Sequence, residues 1–115
     1  GFIENGIKGM RHFLEMKRGP TALFCHNDSV ALAAMGEAQR AGLTIGRDLS
    51  IIGIDNTMES EFSYPALTTV DTFIRDKAGM MVDMLLDGIN NPSKKTATVN
   101  IKSKLLVRAS CGPAA

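Results

Sequence analysis

The chain has 115 residues, a length that suits one small domain, and 44% of them are hydrophobic, enough to fill a core. Its formal net charge is +1, which gives no general attraction to nucleic acid or to anionic lipid. No apolar run approaches the ~18 residues that a membrane-spanning helix needs. From these numbers we expect neither bulk disorder, nor a basic nucleic-acid-binding surface, nor a membrane span.

The two cysteines and the first residues indicate the setting of the protein. Cys25 lies in an apolar run and Cys111 lies beside glycine and proline, so we predict free thiols of a cytoplasmic protein. The opening residues "GFIENGIKGM" contain neither an initiator methionine nor the pattern of a signal peptide. We therefore expect the chain to be a fragment of a longer polypeptide.

The first half of the chain alternates between helical and extended patterns. Apolar residues spaced three and four apart predict a helix over 2–17, and a short apolar run predicts a strand over 21–25. An alanine-rich stretch with a polar start and a final glycine predicts a helix over 28–42. A second apolar run predicts a strand over 49–54. Because both strands are apolar without alternation, we expect a parallel sheet buried on both faces, which is the α/β class.

The second half of the chain continues the alternation. Residues 55–66 are predicted to form a polar loop, 67–72 a short third strand, and 73–90 a long helix. The stretch 96–110 is rich in β-branched residues that alternate with polar ones, so we predict one or two strands there.

Polar side chains follow two predicted strands, at the point where each strand ends. Asn27 and Asp28 follow the first strand, and Asp55 and Asn56 follow the second. Parallel strands bring their carboxyl ends to one edge of a sheet, where ligands bind in open α/β folds. Carboxylates and amides supply acceptors and donors together, which suits a hydroxyl-rich or heterocyclic small molecule. The alternative is structural: Asn27 or Asp28 caps the following helix, and Asp55 and Asn56 begin a turn.

Catalytic and metal-binding roles find little support in the sequence. Cys25 and His26 are adjacent on a strand and point to opposite faces, so they cannot pair as nucleophile and base. The two histidines lack partners at the spacing of a metal site, and no glycine-rich phosphate loop follows either strand. We predict no enzyme activity, no catalytic residues, no metal and no cofactor.

The helix over 28–42 is apolar around its whole first two turns, although a helix on a sheet needs only one apolar stripe. Leu32 and Met35 are therefore candidates for contact with a symmetric partner helix. A covering segment of the same polypeptide is the alternative.

Three quoted segments closely resemble one family. "PTALFCHND" (20–28), "ALAAMGEAQRAGLTIGRDLSIIGIDN" (31–56) and "YPALTTVD" (64–71) are similar to the effector-binding core of LacI-type transcription regulators. The final "KLLVRAS" resembles the last strand of that core. The resemblance implies a three-layer, periplasmic-binding-protein-like α/β fold with two subdomains and an effector in the cleft between them.

The resemblance also implies residue roles. Asn27 matches the cleft asparagine of the family, Asp55 its ligand-binding aspartate, and Asn56 a neighbouring position that is aspartate in many sugar repressors. The implied partners are a small sugar or purine-like effector, a second copy of the chain, and operator DNA through an N-terminal head absent from this chain. The implied homodimer surface comprises the helix over 28–42 and the loop near 58–64, with the candidate contacts Leu32, Met35, Phe62, Ser63 and Tyr64.

The resemblance divides the chain into parts of two subdomains. Residues 1–71 are assigned to the C-terminal subdomain. Residues 72–110 are assigned to a crossover, a helix and closing strands shared with the N-terminal subdomain, and 111–115 to a tail. The expected function is effector sensing and dimerisation in a cytoplasmic repressor. The alternative is a periplasmic solute-binding protein that delivers a sugar for transport.

Overall fold

The computed structural model describes residues 1–114, so the last residue of the predicted tail lies outside the described part. In chain order the helices and strands are α1 (Phe2–Leu14), β1 (Ala22–Phe24), α2 (Asp28–Arg40), β2 (Ser50–Ile54), α3 (Met58–Phe62), β3 (Thr68–Asp71), α4 (Ile74–Asn90) and β4 (Lys104–Leu106).

The four strands form one sheet in the order β1-β2-β3-β4. β1 pairs with β2 and β2 with β3 in parallel, whereas β4 runs antiparallel to β3. The predicted α/β class and the parallel pairing of the first two strands are therefore confirmed. The connection from β1 through α2 to β2 is the strand–helix–strand unit that the sequence indicated.

Two predictions of local structure hold only in part. The segment 55–66 is not wholly a loop, because it contains the one-and-a-half-turn helix α3. Of the predicted strand region 96–110, only Lys104–Leu106 is a strand. The reason is pairing: β3 is four residues long and its register with β4 ends at Asp71 and Lys104, so residues 96–103 meet no neighbouring strand in the described part.

The core lies on one face of the sheet. Along β2 the residues Ile51 and Gly53 are buried, while Ile52 and Ile54 are half-buried. The expected burial of both faces is thus not present within residues 1–114. The buried apolar residues come from α1, α2, the strands and their connections: Met10, Cys25, Ala31, Ala34, Met35, Ala38, Ile45, Leu49, Ile51 and Leu67.

Helix α1 packs closely against α2. A Cβ atom placed on Gly6 would lie 2.8 Å from Ala33 Cβ and closer still to the carbonyl oxygen of Val30. The same pair of helices is joined by Arg11, whose Nε donates to Glu37 Oε2 at 2.9 Å. Arg11 and then Arg40, which also bonds Glu37, hold the pKa of that carboxyl below its usual value. The second apolar face of α2 is therefore covered, at least in part, by α1 of the same chain.

The C-terminal segment closes the sheet at the start of β2 and β3. Ser110 is fully buried there, and its Oγ donates to the Ile51 carbonyl at 2.6 Å and accepts from the Thr68 N–H at 2.8 Å. The Ser110 carbonyl accepts from the Ile51 N–H at 2.9 Å. One residue thus satisfies backbone groups of two strands where their pairing with each other begins.

Helix α4 lies apart from this core and buries none of its residues. The radius of gyration is 18.3 Å, against about 13 Å for a compact domain of this length. The exposed apolar side chains of α4 are Ile74, Met80, Met81, Val82, Met84, Leu85, Leu86 and Ile89. No helix in the described residues is long and apolar enough to cross a membrane.

Both cysteines are free thiols, as predicted, and they differ in accessibility. Cys25 is 8% exposed, and burial raises the pKa of its thiol to about 11. The reactive thiolate should therefore be roughly a hundredfold scarcer than in an unshielded cysteine at neutral pH. We expect Cys25 to be alkylated by iodoacetamide far more slowly in the native protein than in urea, as measured by peptide mass spectrometry. Equal rates in the two conditions would contradict the burial.

Candidate functional site

The carboxyl ends of the parallel strands meet at one edge of the sheet. β1 and β2 run parallel and pair Phe24 with Ile52, so the residues that follow them, Asn27 and Asp55 among them, leave the sheet at the same edge. The pairing of β2 with β3 continues through the N–H of Asp55, which donates to the carbonyl of Val70 at 2.9 Å. The structure thus brings the two predicted polar strand ends to a common edge.

Asp55 and Asn56 form a turn with an unusual backbone. Their φ angles are 109° and 49°, a left-handed region that residues other than glycine seldom adopt. The Asp55 side chain is exposed and forms no hydrogen bond or ion pair with any other of the residues 1–114. It lines an open cavity of about 310 Å³. The other lining residues are Asn56, Asp71, Phe73, Ile74, Arg75 and Asp76.

The side-chain oxygen of Asn27 accepts a hydrogen bond, whereas its side-chain nitrogen donates none within residues 1–114. Its Oδ1 accepts from the Val30 N–H at 2.9 Å and so caps the N-terminus of α2. This is the capping alternative that the sequence left open. The half-buried Nδ2 has no acceptor within the described part of the chain. A donor therefore remains at the carboxyl edge of the sheet, although Asn27 is not among the residues that line the cavity at Asp55.

Asp28 is structural. It is 0% exposed, its Oδ1 accepts from Thr69 Oγ1 at 2.6 Å, and its Oδ2 accepts from the Thr57 N–H at 2.8 Å. The carboxylate thereby joins the first turn of α2 to β3 and to the start of α3. A Cβ at Gly53 would collide with Asp28 Oδ1, so this position of β2 is restricted to glycine.

Asn56 is engaged at both ends of its side chain. Its Oδ1 accepts from Arg108 Nη2 at 2.8 Å, and its Nδ2 donates to Asp71 Oδ2 at 3.0 Å. A ligand contact to this amide would have to displace one of these bonds. Arg108 and Asp71 were not predicted to belong to the site; the available signal for Arg108 was a basic residue directly after the apolar run Leu105, Leu106 and Val107.

The predicted dimer contacts lie in different environments. Phe62 is 76% exposed and Tyr64 is 92% exposed, and both belong to the segment around α3. Leu32 is half-buried and lines an open cavity with Ile3 and residues of α3 and its N-terminal flank. Ser63 uses its hydroxyl within the loop, donating to Pro65 O at 3.0 Å.

Met35 is not available to a partner. It is 2% exposed because it lies on the face of α2 that packs in the core, so its prediction as a dimer contact is wrong. Leu32, Phe62, Ser63 and Tyr64 remain predictions.

The chemistry of the cavity is that of an acceptor-rich polar site. Three of its seven lining residues are aspartates and one is arginine. Asp71 is already bonded by Asn56 and by the N–H of Phe73, which leaves Asp55 and Asp76 as acceptors without a bond among residues 1–114, and Asp55 is the one at the sheet edge. Within residues 1–114 no cluster of three or more His, Cys, Asp or Glu side chains is arranged to hold a metal ion.

Comparison with known proteins identifies the family. The periplasmic binding protein-like domain matches residues 3–111, so the chain belongs to that family. Within it, the chain is similar to the HTH-type transcriptional repressor PurR of Photorhabdus laumondii, at 36% identity over 107 residues, 93% of this chain and 31% of the relative. The chain thus spans about a third of the length of the curated relatives it matches.

Solved structures agree on the branch of the family. A LacI family transcriptional regulator from Enterococcus faecium with bound ribose aligns with a TM-score of 0.90 and 28% identity, over 98% of this chain and 41% of that one. A lac repressor dimer bound to operator and an anti-inducer aligns with a TM-score of 0.85 and 30% identity, over 94% and 37% of the two chains. The resemblance to the effector-binding core of LacI-type regulators is confirmed, and the relatives are repressors rather than transport proteins.

Proposed function

We propose that the chain is the effector-sensing part of a transcription regulator, and that a small sugar or purine-like effector binds at the carboxyl edge of its sheet. The observation that carries this proposal is the exposed Asp55 carboxylate, which projects at a cavity and has no partner in residues 1–114. A carboxylate accepts bonds from sugar hydroxyls or from ring N–H groups. Charge-assisted bonds of this kind are stronger than neutral ones.

Asn27 supports the same proposal from the neighbouring strand end. Its Oδ1 is fixed by the cap to Val30, so its Nδ2 is held in a defined direction and remains a donor. A ligand with several hydroxyl groups can accept from this donor through one of them and donate to Asp55 through another. Ligand recognition by an acceptor and a donor from adjacent strand ends requires no catalytic group, so the proposed role is binding without turnover.

The proposed mechanism is a shift between two arrangements of subdomains. The cavity at Asp55 is bordered by the first residues of α4, which lie beyond the sheet. An effector that contacts both sides binds one relative arrangement more tightly, and only this difference in affinity shifts the equilibrium. The proposed output is a changed spacing of DNA-binding heads outside this chain.

The proposed assembly is a homodimer in the cytoplasm that binds operator DNA through those heads. The exposed aromatic side chains of Phe62 and Tyr64 support a partner surface around α3, since large exposed apolar groups mark interaction sites. The assignment of residues 1–71 and 72–110 to two subdomains belongs to the same proposal.

Asp55→Asn tests the proposed effector contact. Asparagine tolerates a positive φ, so the turn should persist while the negative charge is lost. With the complete protein that contains this chain, a thermal-shift screen of sugars and purines that includes D-ribose and hypoxanthine would find a binding probe. We expect Asp55→Asn to weaken binding of that probe by about 1.5 kcal/mol, roughly tenfold, by calorimetry.

Asp83→Asn is the matched control, because Asp83 is exposed on α4 and forms no bond within the described residues. It should leave the dissociation constant unchanged. Equal affinity of the wild type and Asp55→Asn for the probe would remove the basis of the proposal.

A further inference from the structure

Arg108 follows β4 and connects three separate parts of the chain. Its Nη1 donates to Ser60 Oγ at 3.0 Å and to the Leu67 carbonyl at 2.8 Å, and its Nη2 donates to Asn56 Oδ1 at 2.8 Å. Its backbone N–H donates to Thr68 Oγ1 at 2.9 Å. The guanidinium is therefore fixed between α3, the residue before β3 and the turn that carries Asp55.

Asn56 extends this connection toward α4. Its Nδ2 donates to Asp71 Oδ2 at 3.0 Å, and the other oxygen of that carboxylate accepts from the Phe73 N–H at 2.8 Å. Phe73 has a left-handed backbone with φ 52° and is the last residue before α4. Side chains thus link the end of β4 continuously to the point where α4 begins.

The amide is suited to this place for a chemical reason. Its oxygen accepts from the cationic Arg108, and its nitrogen donates to the anionic Asp71, so one side chain joins a cation to an anion. An aspartate at residue 56 could bond Arg108 but would present an oxygen to Asp71. The neighbouring left-handed conformations of Asp55 and Asn56 are unfavourable for residues other than glycine and persist only where the surroundings fix them.

We propose that Arg108 and Asn56 are positioning residues that hold the Asp55 turn and couple it to the start of α4, and that neither contacts the ligand. The linked groups, which we call the Arg108 relay, are Arg108, Asn56, Asp71 and the Phe73 N–H. The orientation of Asp55 toward an effector rests on the function proposed above, whereas the coupling to α4 does not depend on any ligand. The relay gives Asn56 a role different from the predicted ligand contact.

Amide hydrogen exchange at Phe73 tests the relay in the complete protein without any ligand. Arg108→Gln removes the guanidinium, and we expect the Phe73 N–H to exchange about tenfold faster as its acceptor Asp71 loosens. Arg18→Gln, at an exposed arginine without a bond in the described residues, should leave this rate unchanged. In an Asn56→Ala background, Arg108→Gln should add no further acceleration. Equal acceleration with and without Asn56 would overturn the relay.

A second variant covers the case in which Arg108→Gln does not fold. Asn56→Asp keeps a partner for Arg108 but replaces the donor that faces Asp71, and we expect Phe73 exchange to accelerate here too. An unchanged Phe73 rate in Asn56→Asp would refute the coupling.

Calorimetry with D-ribose and hypoxanthine separates this inference from the proposed function. If the protein binds neither compound but Arg108→Gln still accelerates Phe73 exchange through Asn56, the result supports the relay and counts against effector binding at Asp55. If one compound binds, Asn56→Asp should weaken it several-fold through the displaced turn. If Asn56→Asp accelerates Phe73 exchange but binds the compound with the affinity of the wild type, the relay does not position Asp55.

Discussion

Replacing Asp28 by alanine is expected to lower the free energy of unfolding by about 4 kcal/mol, because two bonds to a buried carboxylate are lost. The substitution leaves the fully buried Thr69 hydroxyl without its 2.6 Å acceptor and the Thr57 N–H without its 2.8 Å acceptor. An unsatisfied buried polar group costs more than the net gain from an ordinary hydrogen bond. The loss also removes the side chain that joins the first turn of α2 to β3 and to the start of α3.

Urea unfolding of the complete protein, followed by circular dichroism, measures this effect as a lower midpoint at constant slope. Asp28→Asn should lie between the alanine variant and the wild type, because it retains one acceptor oxygen. Asp83→Ala is the control, since that carboxylate is exposed, and it should shift stability by less than about 0.5 kcal/mol. A loss below about 1 kcal/mol in Asp28→Ala would show that these bonds do not support the fold.

The same substitution at two glycines of α1 is expected to have opposite effects. Gly9→Ala should raise the free energy of unfolding by about 1 kcal/mol, because alanine favours the helix and the added Cβ meets no atom within 4 Å. Gly6→Ala should lower it by about 2 kcal/mol, because the added Cβ collides with the Val30 backbone and with Ala33. A backbone oxygen cannot turn aside as a long side chain can, so α1 must move away from α2.

Thermal unfolding of both variants beside the wild type tests this pair, since length, helix and chemistry are matched and only the packing differs. The separation between Gly6→Ala and Gly9→Ala should be about 3 kcal/mol. Stabilisation of similar size in both variants would mean that α1 does not pack against α2 through Gly6.

Sequence patterns were sufficient for the elements whose periodicity is long or whose apolar run is continuous. The helices α1, α2 and α4 and the parallel strands β1 and β2 fall within their predicted ranges. Helix α3 was missed because five residues are too few to show a period of 3.6. Residues 96–103 alternate like a strand but have no neighbouring strand among residues 1–114, which alternation alone cannot reveal.

Only the site residues that directly follow a strand could be predicted from the sequence. Asn27 and Asp55 follow from the rule that parallel strands share a carboxyl edge. The difference between Asp28, which is buried among bonds, and Asp55, which is free, depends on Thr69 and Thr57 in segments far along the chain. Arg108 reaches Asn56 across 52 residues, a pairing that no local pattern specifies.

The antiparallel pairing of β3 with β4 has a further consequence for how the molecule can change shape. Asp71 and Lys104 are direct partners across the sheet, so the chain leaves and re-enters at adjacent points. The residues between them, including all of α4, form one long connection whose two ends lie side by side in the sheet. The two backbone connections, after Asp71 and before Lys104, therefore lie side by side, and a rotation about them would leave the ladder hydrogen bonds of the four strands intact.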